Sequence, residues 1–222
     1  MVKKQEILEE LRSVLAGRTF DALLPPLVYV IANAAFGLLI GAVIALAAAL
    51  FIFLFRLFKK QDWKYALGGL LAVLLAVGLA YLTQNASSYF LPALISGGVL
   101  VLLVLVSLII GKPLAAWISH LTRAWPLDWF WRSDVKPAYR EVTMFWLLIL
   151  AGRFALQLLL YLKGDATTLG WANTLLGWPV TIIVLVLSYV YGIWRLHQLK
   201  GPGVDEFMEN KLPPYRGQTR GF

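Results

Sequence analysis

The stretch FDALLPPLVYVIANAAFGLLIGAVIALAAALFIFLFRL, residues 20–57, decides how often this chain crosses a membrane. Read as one helix it is far too long, because a helix rises about 1.5 Å per residue and the hydrocarbon core is roughly 30 Å thick. Read as two, it gives a short first span over about 20–35, a tight turn near Phe36-Gly37, and a second span over 38–57. The lysines and arginines decide between these readings.

Composition already points to a membrane. Of 222 residues, 60% are hydrophobic and 14% charged, whereas a soluble domain is nearer half apolar and carries roughly a quarter charged residues. Four further apolar runs are long enough to cross, at about 63–82, 89–111, 143–162 and 170–194. With six spans and an inside N-terminus, the inside regions hold Lys3, Lys4, Arg12 and Arg18, then Arg56, Lys59, Lys60 and Lys64. The next inside loop adds Lys112, Arg123, Arg132, Lys136 and Arg140, and the tail adds Arg195, Lys200, Lys211, Arg216 and Arg220. Eighteen of the twenty basic residues thus fall on one side; Lys163 lies outside and Arg153 within the membrane. This is the positive-inside pattern. It predicts an all-α polytopic bundle of six transmembrane helices with both termini cytoplasmic.

The net charge of +8 sits between apolar runs instead of forming a basic domain, so it reads as a topology signal and not as a nucleic-acid surface. The N-terminus resembles a signal peptide, with Ala32-Asn33-Ala34 as a small-residue site. However, the leader carries Glu6, Glu9, Glu10 and Asp21, unlike a short basic n-region, so no cleavage is expected. There is no cysteine, which excludes disulfides and thiolate chemistry.

Two amphipathic helices are expected at the membrane surface. Residues 1–19 place Ile7, Leu8, Leu11, Val14 and Leu15 on one face. Within the Trp-rich loop 112–136, residues 113–125 align Leu114, Trp117, Ile118, Leu121 and Trp125, ahead of WPLDWFW, a cluster typical of headgroup depth. The membrane domain runs over 20–196. The tail 197–222 carries Gly201-Pro202-Gly203 and Pro213-Pro214 without periodicity, and is predicted to be flexible or ordered by a partner.

Inside the membrane, Gly37, Gly41, Ala45 and Ala49 recur every four residues, a close-packing ridge serving either internal packing or a homodimer. Pro25, Pro26 and Pro179 mark helix-break positions; Pro179 leaves the Leu175 carbonyl without its usual donor. On the fifth span Tyr139, Trp146 and Arg153 recur every seven residues, with Gln157 four beyond. A charge at this depth is costly and faces protein, water or ligand in preference to lipid. With no acid in the middle of any span, two readings of Arg153 stand. One is an interhelical polar cluster with Gln157, Asn33 and backbone oxygens; the other is a site for a lipid phosphate, a quinone carbonyl or a transported anion.

Catalysis and metal binding find no support. His120 and His197 lack a carboxylate at motif spacing, and there is no nucleophile elbow, metal-ligand cluster or phosphate-cradling loop. No enzymatic activity, cofactor or metal is expected.

The ordered set LPPLVYVIANAAFG, FLPALI, IIGKPL, AYREVTMFWLLILAGRFALQLLLYL and LGWP resembles an uncharacterised six-span bacterial membrane family of unknown function. It is more distantly similar to the intracellular septation protein A family, through the short first span, the Gly111-Lys112-Pro113-Leu114 segment and the loop into a Trp-containing span. The likeness covers roughly residues 20–195, and it implies an envelope-related role by analogy. The expected function is that of a non-enzymatic scaffold or accessory subunit, contacting membrane lipids and a membrane-protein partner or a second copy. The alternative is a small transporter or a lipid- or quinone-binding protein with a midplane site at Arg153.

Overall fold

The computed structural model describes residues 18–59 and 63–222, with side chains described for 24–59 and 67–222. The amphipathic helix expected over 1–19 lies almost wholly outside the described residues. The chain is helical, with no strand among the described residues. Its helices are α1 (Arg18–Phe36), α2 (Leu38–Phe58), α3 (Trp63–Thr83), α4 (Leu91–Ile109), α5 (Leu114–Arg123), α6 (Leu127–Phe130), α7 (Lys136–Leu162), α8 (Ala166–Leu175), α9 (Trp178–Leu199) and α10 (Val204–Met208), with a 3-10 turn at Ala86–Phe90 before α4.

Four segments are long and apolar enough to cross a membrane: Leu38–Phe58, Ala86–Ile109, Lys136–Leu162 and Ala166–Leu199. Leu24–Phe36 and Leu67–Thr83 are shorter apolar helices. The chain is thus an all-helical membrane protein. The span expected over about 143–162 begins early: α7 starts at Lys136 and runs 27 residues, about 40 Å. The expected sixth span is two helices, since α8 ends at Leu175 and α9 begins at Trp178.

The chain divides into two compact units, Met1–Leu94 with Gln157–Leu175, and Ile95–Leu156 with Leu176–Phe222. In the first, Gly37 turns α1 into α2 at φ +81, a left-handed conformation that glycine adopts at little cost. Its N–H donates to the Asn33 carbonyl at 2.9 Å, and its own carbonyl accepts from Gly41 N at 3.0 Å. A Cβ at Gly41 would stand 2.8 Å from Asn33 N, so the two backbones touch there. Beyond this point Ala45 and Ala49 are buried with Tyr29 and Val30 of α1 and Val73, Ala76 and Ala80 of α3. Gly41, Ala45 and Ala49 therefore pack inside the unit, while Gly37 is the exposed turn.

Pro25 and Pro26 lie inside α1, which runs unbroken through them, contrary to their reading as helix breaks. Each ring removes one backbone donor, but helices in apolar surroundings tolerate this when neighbouring groups take up the freed carbonyl. Pro179 stands in the first turn of α9, where a missing N–H costs nothing because no carbonyl of the same helix precedes it.

In the second unit, Gly98 of α4 meets α7 closely: a Cβ there would lie 3.1 Å from the Phe154 ring. The chain then leaves α4 through Gly111 at φ +72. Ser107 Oγ receives the Leu114 N–H at 3.1 Å, and Thr143 Oγ1 of α7 receives that of Ala115 at 3.2 Å. Two orphan donors at the start of α5 are thus met by side chains. Ala115, Ala116 and Ser119 form the buried face of α5, and Ile118 and Leu121 point outward.

Candidate functional site

The second unit is built on aromatic rings. Trp125, Trp129, Phe130, Tyr139 and Phe222 are buried together with Val135, Val142, Leu196 and Val204. Trp129 and Phe130 meet edge to face at 5.0 Å, as do Phe130 and Tyr139, and Phe222 stacks on Tyr139 at 4.3 Å and 12°. Of the tryptophans expected at headgroup depth, Trp125 and Trp129 are therefore core residues, and Trp131 packs partly buried against them. A tryptophan is buried cheaply only when its N–H finds an acceptor, and Trp129 Nε1 donates to the Pro202 carbonyl at 2.9 Å. His120 secures the turn before it: its Nδ1–H donates to the Trp125 carbonyl at 2.6 Å.

The acceptor for Trp129 belongs to the tail, which is folded instead of flexible. Gly201 passes so close to Asp134 that a Cβ would sit 2.7 Å from its carbonyl oxygen. The Glu206 carboxylate accepts N–H groups from Gly203 at 2.9 Å, Arg216 at 2.8 Å and Gly217 at 3.1 Å. These donors hold its carboxyl below the usual carboxylate range, Arg216 first and Gly203 next. Gln218 Oε1 accepts from Val204 N at 3.0 Å, Arg220 pairs with Asp205 at 2.9 Å, and the Arg220 carbonyl accepts from Arg123 at 3.2 Å. Phe222 fills the space that Gly192 of α9 leaves, where a Cβ would be 2.3 Å from the ring. A polar segment without periodicity folds here because one buried carboxylate gathers three backbone donors and one ring anchors the end.

The residues predicted to surround Arg153 fall in both units. Gln157 and Asn33 belong to the first, Arg153, Trp146 and Tyr139 to the second. Gln157 is buried and donates to Asn173 Oδ1 of α8 at 2.7 Å, while Asn173 donates to the Leu169 carbonyl at 3.0 Å. Trp146 Nε1 donates to Ser188 Oγ of α9 at 2.7 Å. Tyr139 belongs to the aromatic core. Asn33 marks the close approach of α1 to α2. Arg153 is half-buried, and among the described residues no hydrogen bond or ion pair reaches its guanidinium. Glu141, near the start of the same helix, is engaged by Arg195 through a two-pronged pair at 2.8 and 2.9 Å, and by Tyr191 Oη at 2.7 Å.

Asn173, Ser188, Glu206 and Phe222 escaped the sequence reading. Of these only Glu206 had a local signal: it stands three residues after Gly203, the N-cap to N3 spacing of a capping box. The others depend on which helix face meets which, and that is set by tertiary register.

A second polar group lies in the first unit. Tyr29 Oη donates to the Ala86 carbonyl at 2.8 Å, and its ring stacks on Tyr89 at 3.9 Å. Asn85 Oδ1 caps the 3-10 turn through Ser87 N at 2.9 Å. α8 approaches both this turn and α1 closely: a Cβ at Gly170 would lie 3.1 Å from the Phe90 ring and would overlap a Val30 methyl. Among the described residues no group of three or more His, Cys, Asp or Glu side chains converges as a metal site.

Long apolar helices bearing an aromatic-cored body of loop and tail define a polytopic helical membrane protein. The chain belongs to the DUF3159 family, proteins of unknown function, whose family model matches residues 17–197. No curated protein and no solved structure matches it significantly.

Proposed function

We propose that this protein is a non-enzymatic scaffold or accessory subunit of a larger complex in the bacterial cytoplasmic membrane, crossing six times with both termini inside. One observation carries the reading. The Trp-rich segment and the tail lie outside the long apolar runs, yet they are folded together around Trp129 and Phe222. The result is an ordered surface whose rim exposes Asp128, Glu209 and Lys211. A prefolded surface binds without losing much chain entropy on association. The one-sided distribution of lysine and arginine supports the orientation, and the distant likeness to the septation protein A family supports an envelope-related setting.

The test is purification of the full chain in a mild detergent with quantitative mass spectrometry of what accompanies it. A membrane protein should be recovered in fixed stoichiometry. The rim variant D128R/E209R should lose it, and Arg153→Gln should keep it. Recovery of the chain alone, or equal loss in both variants, overturns the scaffold reading.

A second reading rests on Arg153. A half-buried guanidinium in a membrane-length helix, with no hydrogen-bond partner among the described residues, suits a carbonyl or phosphate of a lipid, quinone or transported solute. In that case Arg153→Gln, with insertion and stability retained, releases a co-purifying lipid or solute that the rim variant keeps.

A further inference from the structure

The C-terminal end of α9 and the returning tail line an open pocket of about 430 Å³. His197 and Lys200 form one wall; Tyr215 and Arg216 form the other, next to Pro213 and Pro214. No acidic side chain lines it. Lys200 and Arg216 are exposed, and among the described residues neither side chain is in an ion pair. Glu206 is bonded to the backbone of two lining residues but is not itself in the lining. Its two oxygens accept from Gly203, Arg216 and Gly217 N–H, so it holds the backbone of the Arg216 wall in place. Tyr215 is within hydrogen-bond reach of Arg132, which is itself paired with Asp134 at 2.8 Å.

Two permanent cations from opposite walls, a histidine and a phenol facing an acid-free space make an anion site. Guanidinium and ammonium together suit a phosphate best, the first as a two-pronged donor and the second as a point charge. The depth of the pocket fits a membrane surface. Trp194 is 53% exposed and Tyr191 is 41% exposed near the end of α9, and such rings collect where acyl chains give way to headgroups. His197 and Lys200 follow Trp194 by three and six residues, about 4.5 and 9 Å further along the axis.

We propose that the pocket between α9 and the tail binds a phosphate-bearing anion, held by Lys200 and Arg216. The chemistry is shared by an anionic lipid headgroup and a soluble phosphate, and the experiment separates them. The full chain is placed in nanodiscs of phosphatidylcholine with or without phosphatidylglycerol, and retained lipid is counted by native mass spectrometry. In parallel, inorganic phosphate and glycerol 3-phosphate are titrated calorimetrically onto the phosphatidylcholine sample.

Binding in the lipid arm alone identifies a headgroup site, in the soluble arm alone a solute site, and in both a site for the phosphate itself. In whichever arm binds, K200Q/R216Q should weaken binding by at least about tenfold. K112Q/R140Q removes two exposed cations of the same unit outside the pocket, and should change it less than about twofold. Both pairs are surface changes, and an unchanged aromatic circular-dichroism band verifies that the core around Trp129 survives. Binding in neither arm overturns the proposal. So does equal weakening by the two double variants, which would reduce the effect to diffuse surface charge.

Discussion

At the scale of single residues, the positions that matter most are those where two chain segments come closer than a side chain allows. Gly170 is one. An added Cβ would meet a Val30 methyl at 2.0 Å and the Phe90 ring at 3.1 Å, and valine cannot swing away because its β-branched side chain has few rotamers. Gly170→Ala should therefore cost about 1–3 kcal/mol through overpacking. A double-mutant cycle in detergent checks this: the alanine should cost distinctly less in a Val30→Ala background, since its obstacle is gone. Equal cost in both backgrounds would mean that the contact is not what limits the site. Glu206 matters for the opposite reason, as an acceptor. Its folded-state pKa is depressed, so its contribution is fully present above the unfolded value of about 4.3 and is lost as pH falls through the folded value. Acidification below about pH 4 should weaken the aromatic circular-dichroism signal of the tail-docked core. Glu206→Gln should show a weakened signal at neutral pH and a smaller acid-dependent change.

At the scale of elements, the tail is the instructive case. Residues 201–222 offered a sequence reader glycines, prolines and charges without period, which ordinarily marks a segment unable to bury enough apolar surface to order itself. Its order comes from the surface it meets: Phe222 enters the gap at Gly192, Pro202 receives the Trp129 N–H, and Glu206 ties the return strand of backbone. Hydropathy registers none of these because each depends on a partner far away in sequence. Apolar segments were legible because their cause is local, namely composition over some twenty residues. So was the Gly41-Ala45-Ala49 ridge, whose four-residue spacing puts small side chains on one helix face whatever packs there. The tryptophan cluster was visible but its packing was not, since an aromatic run looks alike whether its rings face lipid headgroups or one another. Tyr139, Trp146, Arg153 and Gln157 all stand on α7, and two of them bond Asn173 and Ser188 on other helices. Removing the central ring tests the element. Trp129→Ala should destabilise the docked tail by about 3–5 kcal/mol, and limited trypsin digestion should then cut at Lys211 and Arg216 well before the membrane helices. Unchanged cleavage there would show that the tail does not depend on Trp129.

At the scale of the whole molecule, the apolar lengths leave the order of crossings undecided, and the proposed six-span order rests on the lysines and arginines. Four segments are long enough to cross, and two others are shorter. If the shorter pair did not cross, Lys59 and Lys112 would still be separated by one crossing, the Ala86–Ile109 segment, and would fall on opposite sides. If all six cross, α3 and α4 each contribute one, and both lysines return to the same side. The absence of cysteine turns this into a direct measurement, because any single introduced thiol is the only one present. Cysteines placed at Lys59, Lys112, Ser133 and Lys211, one per variant, should all react with a membrane-impermeant maleimide only after inside-facing surfaces are opened, and one at Lys163 should react in intact cells. All five side chains are exposed, so failure to label reflects the bilayer and not burial. Labelling of Lys59→Cys together with Lys163→Cys in intact cells would overturn the six-span order. Labelling of Ser133→Cys in intact cells would overturn the inside placement of the Trp-rich segment, and with it the side on which a partner could meet the folded tail.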